Sequence, residues 1–314
     1  MLGAFTILLP VFGLIAAGFI TRKTGVLGEN AASELNRFVV WLALPALLFD
    51  IMANSHWSTL FKADFISVYL IASGVVFFGI LGWRLKQGRP LADASIDGIA
   101  ASYSNTGYVG FPLLFLVFGS SSQVPTTIAT IIVVCVLFAL AIMLIESGLQ
   151  AKVAWHLRAL NVFNAVFRNP LVLAPIAGMA FAATPYHLPE GIETFLGLLA
   201  DAASPCALVS LGLFLADASA QSQKGAGSVR STAFGLTAAK LLVQPLLAAW
   251  LAFGVFDMER ELAMMAIMLA ALPTGTGPFM LAEFYRREAL ITAQTVLFST
   301  TLSLFTLSLL LLYI

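Results

Sequence analysis

Ten stretches of this chain are apolar over about the length a bilayer core requires, and two of them contain residues that no continuous helix accommodates. The stretches lie near 3–20, 36–53, 64–83, 95–118, 125–146, 167–184, 193–216, 232–253, 262–284 and 290–313, against the ~20 residues a helix needs to cross. In lipid every backbone N–H and C=O must find a partner within the protein, so stretches of this kind fold as helices. Charged residues make up only 10% of the chain, against about 25% in soluble domains. The reading is an all-α integral membrane protein with ten transmembrane helices.

The net charge of +0 gives no basic surface for nucleic acid. His56, His156 and His187 fall in loops without metal-ligand spacing, and Cys135 and Cys206 sit in apolar spans as packing residues, so no metal or other cofactor is expected. The chain contains no H-E-x-x-H, G-x-S-x-G or G-x-x-x-x-G-K-[ST]. Protease, esterase and ATPase signatures are therefore missing, and an enzyme is not expected.

Thirteen of the 16 Lys and Arg residues fall after odd-numbered spans, against Lys62 and Arg260 on the other side and Lys240 within a span. Positive charge marks the cytoplasmic side, so the expected location is the cell (inner) membrane, with both termini on the non-cytoplasmic side. Residues 147–166 combine Lys152, His156 and Arg158 with apolar residues at helical spacing, the pattern of an amphipathic helix lying on the membrane surface.

Three landmarks recur in order. LLPVFG (Pro10, Gly13) in the first span matches LAPIAG (Pro175, Gly178) in the sixth. ALPALLF (Pro45) in the second matches ASPCALV (Pro205) in the seventh, and SNTGYVGFP in the fourth matches LPTGTGP in the ninth. The chain thus divides into a first five-span repeat, 1–146, the connection 147–166, and a second five-span repeat, 167–314. Because each repeat has an odd number of spans, the second enters the membrane inverted.

The fourth and ninth spans are the interrupted pair. Matched interruptions mark the binding site of an inverted-repeat transporter, because irregular backbone at membrane depth survives only inside protein or beside a wet cavity. Two broken helices that cross satisfy each other. Pro112 and Pro278 suit the first turn of each second half-helix. Gly107, Gly110, Gly275 and Gly277 let the backbone unwind and other groups approach. Half-helix N-termini attract an anion, and Asn105, Thr106, Thr274 and Thr276 add neutral donors and acceptors. The candidate substrate site therefore runs from Asn105 to Pro112 and from Pro273 to Pro278. It suits a small organic anion, a carboxylate above all, carried by a secondary transporter. A channel-like facilitator for small solutes is the other reading.

NTGYVGFP, LPTGTGP and KLLVQPLLA (Lys240 to Ala248) resemble the auxin efflux carrier family, which includes plant auxin exporters and bacterial malate and malonate carriers. The resemblance implies a scaffold of spans 1, 2, 6 and 7, a mobile transport unit of spans 3–5 and 8–10, elevator-like motion and a homodimer formed through the scaffold. Gly13, Ala16, Ala17 and Gly18 of the first span are small enough for close helix approach, between subunits or within one.

Asp201 and Lys240 each lie about nine residues into a span, near the middle of the bilayer, where they can pair. Gln244 shares a helix face with Lys240. A coupling or charge role for these three stands beside a buried structural pair. Asp50, Asp97, Glu146, Asp217 and Glu283 lie near span ends and read as solvated.

Overall fold

The computed structural model describes residues 2–54, 61–150, 164, 168–220 and 226–312. Within them the regular secondary structure is helical, apart from one isolated β-bridge between Ser104 and Thr274. The helices used below are α1 (Leu2–Lys23), α2 (Ala31–Ala53), α3 (Ala63–Lys86), α4 (Leu91–Ser102), α5 (Phe111–Phe118) and α6 (123–149). They continue with α7 (Pro170–Ala182), α8 (Glu190–Ala220), α9 (Gly227–Val255), α10 (Arg260–Ala271), α11 (Gly277–Phe284) and α12 (Ala289–Leu310).

Among the described residues, six helical stretches are long and apolar enough to cross a membrane: Ala31–Ala53, Ala63–Lys86, Phe111–Leu149, Glu190–Asp217, Gly227–Val255 and Ala289–Leu310. The protein is therefore an all-helical, multi-pass membrane protein. The expected sixth span, 167–184, appears as a helix of only 13 residues, about 20 Å at 1.5 Å per residue. Asn169 starts it, its side chain accepting from the Leu171 N–H at 3.0 Å, which satisfies one orphan donor of the first turn. The surface helix expected over 147–166 falls largely outside the described residues, as do His56, His156 and Lys224.

Packing sorts the helices. α1 lies along α8, α7 along α2, and α8 also packs on α2, while α3, α4 and α6 pack together and α9 packs against α10 and α12. Gly18 and Gly212 make the α1–α8 contact possible. A Cβ on Gly18 would lie 2.2 Å from the Val209 carbonyl oxygen, and one on Gly212 would lie 2.0 Å from that of Ile15. Gly18 is thus spent inside the subunit, whereas Gly13, Ala16 and Ala17 stay exposed. Gly212→Ala is expected to destabilise the protein by about 1–3 kcal/mol, the usual cost of overpacking. Gly13→Ala, whose added Cβ meets nothing within 4 Å, serves as the matched control, and thermal unfolding in detergent reads the difference.

The polar span ends are more engaged than solvation requires. Arg22 Nε donates to Asp217 at 2.5 Å, and Tyr285 donates its hydroxyl to Glu146 at 2.9 Å. Asp50 and Glu283 are half-buried, and Asn54 donates to Asp50 at 2.8 Å. Asp97 departs furthest from expectation. It is fully buried and accepts from Arg84 Nε at 2.6 Å, and Arg84 is itself only 5% exposed. The physical reason is that α4 begins at Leu91. Asp97 therefore stands well inside the helix, facing the last turn of α3.

Candidate functional site

Both interrupted segments are broken helices, and they cross. α4 ends at Ser102, and Tyr103 is extended, with φ −83° and ψ 102°. α10 ends at Ala271, and Leu272 is extended, with φ −59° and ψ 150°. The unwound strands run antiparallel. Asn105 N–H donates to the Pro273 carbonyl at 2.9 Å, and Gly275 N–H donates to that of Tyr103 at 3.1 Å. Each break thus satisfies backbone groups that the other leaves open, as irregular structure at membrane depth requires. Beyond the crossing the chain recoils. The Asn105 carbonyl accepts from Val109 and Gly110 at 3.2 and 3.0 Å, which starts a wide turn over Thr106–Gly110 that leads into α5. Met280 N–H donates to Thr276, the N-cap of α11, at 3.0 Å. Pro112 and Pro278 each occupy the first turn of a second half-helix, where a missing N–H costs nothing.

The carbonyls orphaned at the ends of the first half-helices are closed by side chains. Lys240 Nζ donates to Ala270 O at 2.6 Å, and Gln244 Nε2 donates to Ser102 O at 3.2 Å and to Ser73 Oγ at 3.0 Å. Thr274 Oγ1 donates to Ala100 O at 2.9 Å, while its N–H donates to Ser299 Oγ at 3.0 Å. Lys240 and Gln244, one helical turn apart on α9, therefore brace both halves of the crossing. Asp201 and Lys240 do not pair: Lys240 is fully buried against α10, and Asp201 lies on a cavity wall formed by α8.

That cavity, of about 320 Å³, opens beside the crossing. This lies at the small end of ligand pockets, which run ~300–1,000 Å³. Tyr103, Asn105, Thr106 and Gly107 line it from the first break, and Gly275, Thr276 and Gly277 from the second. Leu44, Leu47 and Ile51 of α2, Thr130 and Val134 of α6, and Ala200, Asp201 and Ser204 of α8 complete the walls. Of the residues expected at the site, Gly110, Pro112, Pro273, Thr274 and Pro278 are not among those that line the cavity. Gly110 packs against Leu272, whose Cδ1 would be 3.0 Å from an added Cβ.

None of the four crossing glycines has a positive φ, so left-handed backbone is not what requires them. A Cβ on Gly275 or on Gly277 would come within 2.8 Å of the Tyr103 ring. These two positions are small because that ring lies against them. Gly107 faces open space. Tyr103 was not singled out in the sequence reading, although its signal was present: a large aromatic residue two positions before the Asn of one break, opposite paired glycines in the other.

Crossed broken helices over a small, polar-edged cavity within an all-helical, multi-pass fold define a membrane transport protein. The sequence comparisons agree. The family model described as "Membrane transport protein" matches residues 4–311, and the chain belongs to that family, which spans auxin efflux carriers and malonate transporters. A protein of Rhizobium meliloti named "Putative malonate transporter" is 30% identical over 303 residues, covering 96% of this chain and 92% of its own. An "Uncharacterized transporter" of Methanothermobacter thermautotrophicus is 28% identical over 98% of this chain and 97% of its own. The Arabidopsis thaliana auxin efflux carrier component 7 is 28% identical over 158 residues, which is 49% of this chain and 25% of that protein.

Proposed function

We propose that the protein is a secondary transporter that moves a small organic anion, a carboxylate, by elevator-type alternating access, with the cavity at the crossing as its substrate site. The observation that carries this reading is the convergence of Asn105, Thr106 and two half-helix N-termini on one small cavity. Such N-termini offer N–H donors and partial positive charge to an anion. The name of the Rhizobium relative supports a carboxylate cargo.

Ten spans in two inverted halves belong to the same proposal. A two-fold operation that exchanges the first span with the sixth, and the second with the seventh, turns the α1–α8 contact into the α7–α2 contact. Both contacts are present. α1, α2, α7 and α8 would form the static scaffold, and the two crossed helices with α3, α6, α9 and α12 the moving unit. Both termini would face away from the cytoplasm of a cell (inner) membrane, and two copies would associate through the scaffold.

Counterflow tests the reading. Purified protein in liposomes loaded with unlabelled malonate is expected to accumulate labelled malonate transiently against its gradient, as an alternating-access carrier does. Equilibration without accumulation would identify a channel, and no flux of any organic acid would remove the substrate class.

A further inference from the structure

We infer that a second cavity, at the arginine-bearing end of α3, binds a phosphate-bearing anion, either the headgroup of an anionic phospholipid or free phosphate. It shares no lining residue with the cavity at the crossing.

This cavity, of about 530 Å³, has three walls. Arg84 and Arg89 line it from the end of α3 and the turn beyond, and Ser228 and Thr232 from the start of α9. The third wall is Glu288 to Ile291, at the start of α12. Ser228 and Thr232 are one helical turn apart, so their hydroxyls share a face. Ala289, Leu290 and Ile291 open a 22-residue helix, and the first N–H groups of a helix have no partner within it. The N-cap, Glu288, makes no side-chain bond to them. Its carboxylate pairs with Arg89 instead.

The arginines are paired but not exhausted. Arg84, 5% exposed, donates to Asp97 and to Gln87. Arg89 pairs through Nη2 with Asp93 and Glu288, and Arg287 also pairs with Asp93. Three guanidinium groups thus meet three carboxylates, and the charges balance. The hydrogen-bond donors do not. A guanidinium carries more N–H groups than these bonds use, and Arg89 Nε is buried with no protein partner. A buried donor left unpaired is costly. Two hydroxyls and a helix N-terminus add to the surplus, against one acidic side chain in the lining, Glu288. A ligand that satisfies these walls brings several acceptor oxygens and negative charge. Phosphate brings both: arginine pairs with it bidentately, and a helix N-terminus holds it.

The position suits a lipid headgroup. Trp83, 39% exposed, precedes Arg84 at the end of α3, and tryptophan at a span end sits at headgroup level. Basic pockets between spans at that level take anionic headgroups. The other end of α3 provides the contrast. A cavity of about 570 Å³ there is lined by Lys62, Glu259 and Glu261, two carboxylates to one cation. Of the two ends of this helix, the arginine end is the one built for an anion.

Native mass spectrometry and thermal unfolding of the purified full chain in detergent test the inference, with phosphatidylglycerol, phosphatidylcholine and inorganic phosphate as probes. Ser228→Glu sets a carboxylate at an exposed edge of the cavity, and Arg89→Gln removes the unpaired donor. Each should weaken phosphatidylglycerol retention about tenfold or more, the loss expected for one charge-assisted hydrogen bond. Lys62→Gln, at the other end of α3, should bind like the parent. Phosphatidylcholine, whose phosphate is offset by a fixed cation, should be retained less. An unfolding temperature of lipid-free Ser228→Glu equal to the parent's shows that the variant folds. Phosphatidylglycerol retained against excess phosphate identifies a lipid site. Displacement by phosphate, or stabilisation by phosphate without lipid retention, identifies a site for the free anion. The inference falls if the parent binds neither phosphate nor phosphatidylglycerol above the level of phosphatidylcholine. It falls equally if Ser228→Glu and Arg89→Gln bind as the parent does. Neither result bears on the cavity at the crossing.

Discussion

Asn105→Ala is expected to lower organic-acid affinity about 10- to 150-fold while leaving the crossing intact. Backbone hydrogen bonds at Asn105 help to build the crossing, one from its N–H to Pro273 and two to its carbonyl from Val109 and Gly110. Alanine keeps all of them. What it removes is the amide at the edge of the cavity. A hydrogen bond to a charged group contributes roughly 1.5–3 kcal/mol, which gives the stated range at ~1.4 kcal/mol per decade. Asn105→Asp retains the shape but sets a carboxylate against an anion, and should bind more weakly still. Equilibrium binding and counterflow in liposomes measure both variants, with thermal unfolding as the check on folding. Parental binding and flux in both would show that the crossing is purely structural.

The second large effect is on stability. Asp97→Ala should strip Arg84 of its partner inside the protein. Arg84 would keep its bond to Gln87 Oε1 at 2.6 Å, but a neutral amide does not cancel its charge. Removing one member of a buried ion pair costs about 3–5 kcal/mol, because the remaining charge stays desolvated. At the ~2 °C per kcal/mol of larger proteins, this is a fall of roughly 6–10 °C in unfolding temperature. The double change Arg84→Met with Asp97→Leu removes both charges and should recover most of the loss. Recovery would show that the penalty lies in the unpaired charge and not in the lost attraction. A single variant as stable as the parent would mean that water reaches Arg84.

The places where the membrane-depth helices break were legible because glycine and proline are poor helix residues whatever surrounds them. SYSNTGYVGFP and LPTGTGP mark the two breaks, and Pro112 and Pro278 open the resumed helices as that chemistry requires. That glycines there admit a close approach was legible, but which group approaches was not. Gly275 and Gly277 answer to the ring of Tyr103, which is far away in sequence. The partners of Lys240 and Gln244 were hidden for a similar reason. A periodic pattern shows that two residues share a helix face, but not which carbonyls that face meets. Asp97 was misread because apolar composition located the start of its helix several residues late. The cavity's far walls, from α2 and α8, follow from helix crossings that depend on contacts such as Gly212 on Ile15, which no local sequence signal encodes.

The pairing of Asn105 with Pro273 also imposes an order on biogenesis. A ribosome releases the first break long before it makes the second, so for much of synthesis Tyr103, Ser104 and Asn105 face the insertion machinery with their eventual hydrogen-bond partners still unmade. Exposed backbone of this kind does not partition into hydrocarbon. The first break is therefore expected to wait, in a wet translocation channel or against a membrane chaperone, until Leu272 to Gly275 arrives. Membrane insertion of this protein is then governed by its last helices as much as by its first, and truncation before residue 273 should leave an early segment that the quality-control system treats as unfinished.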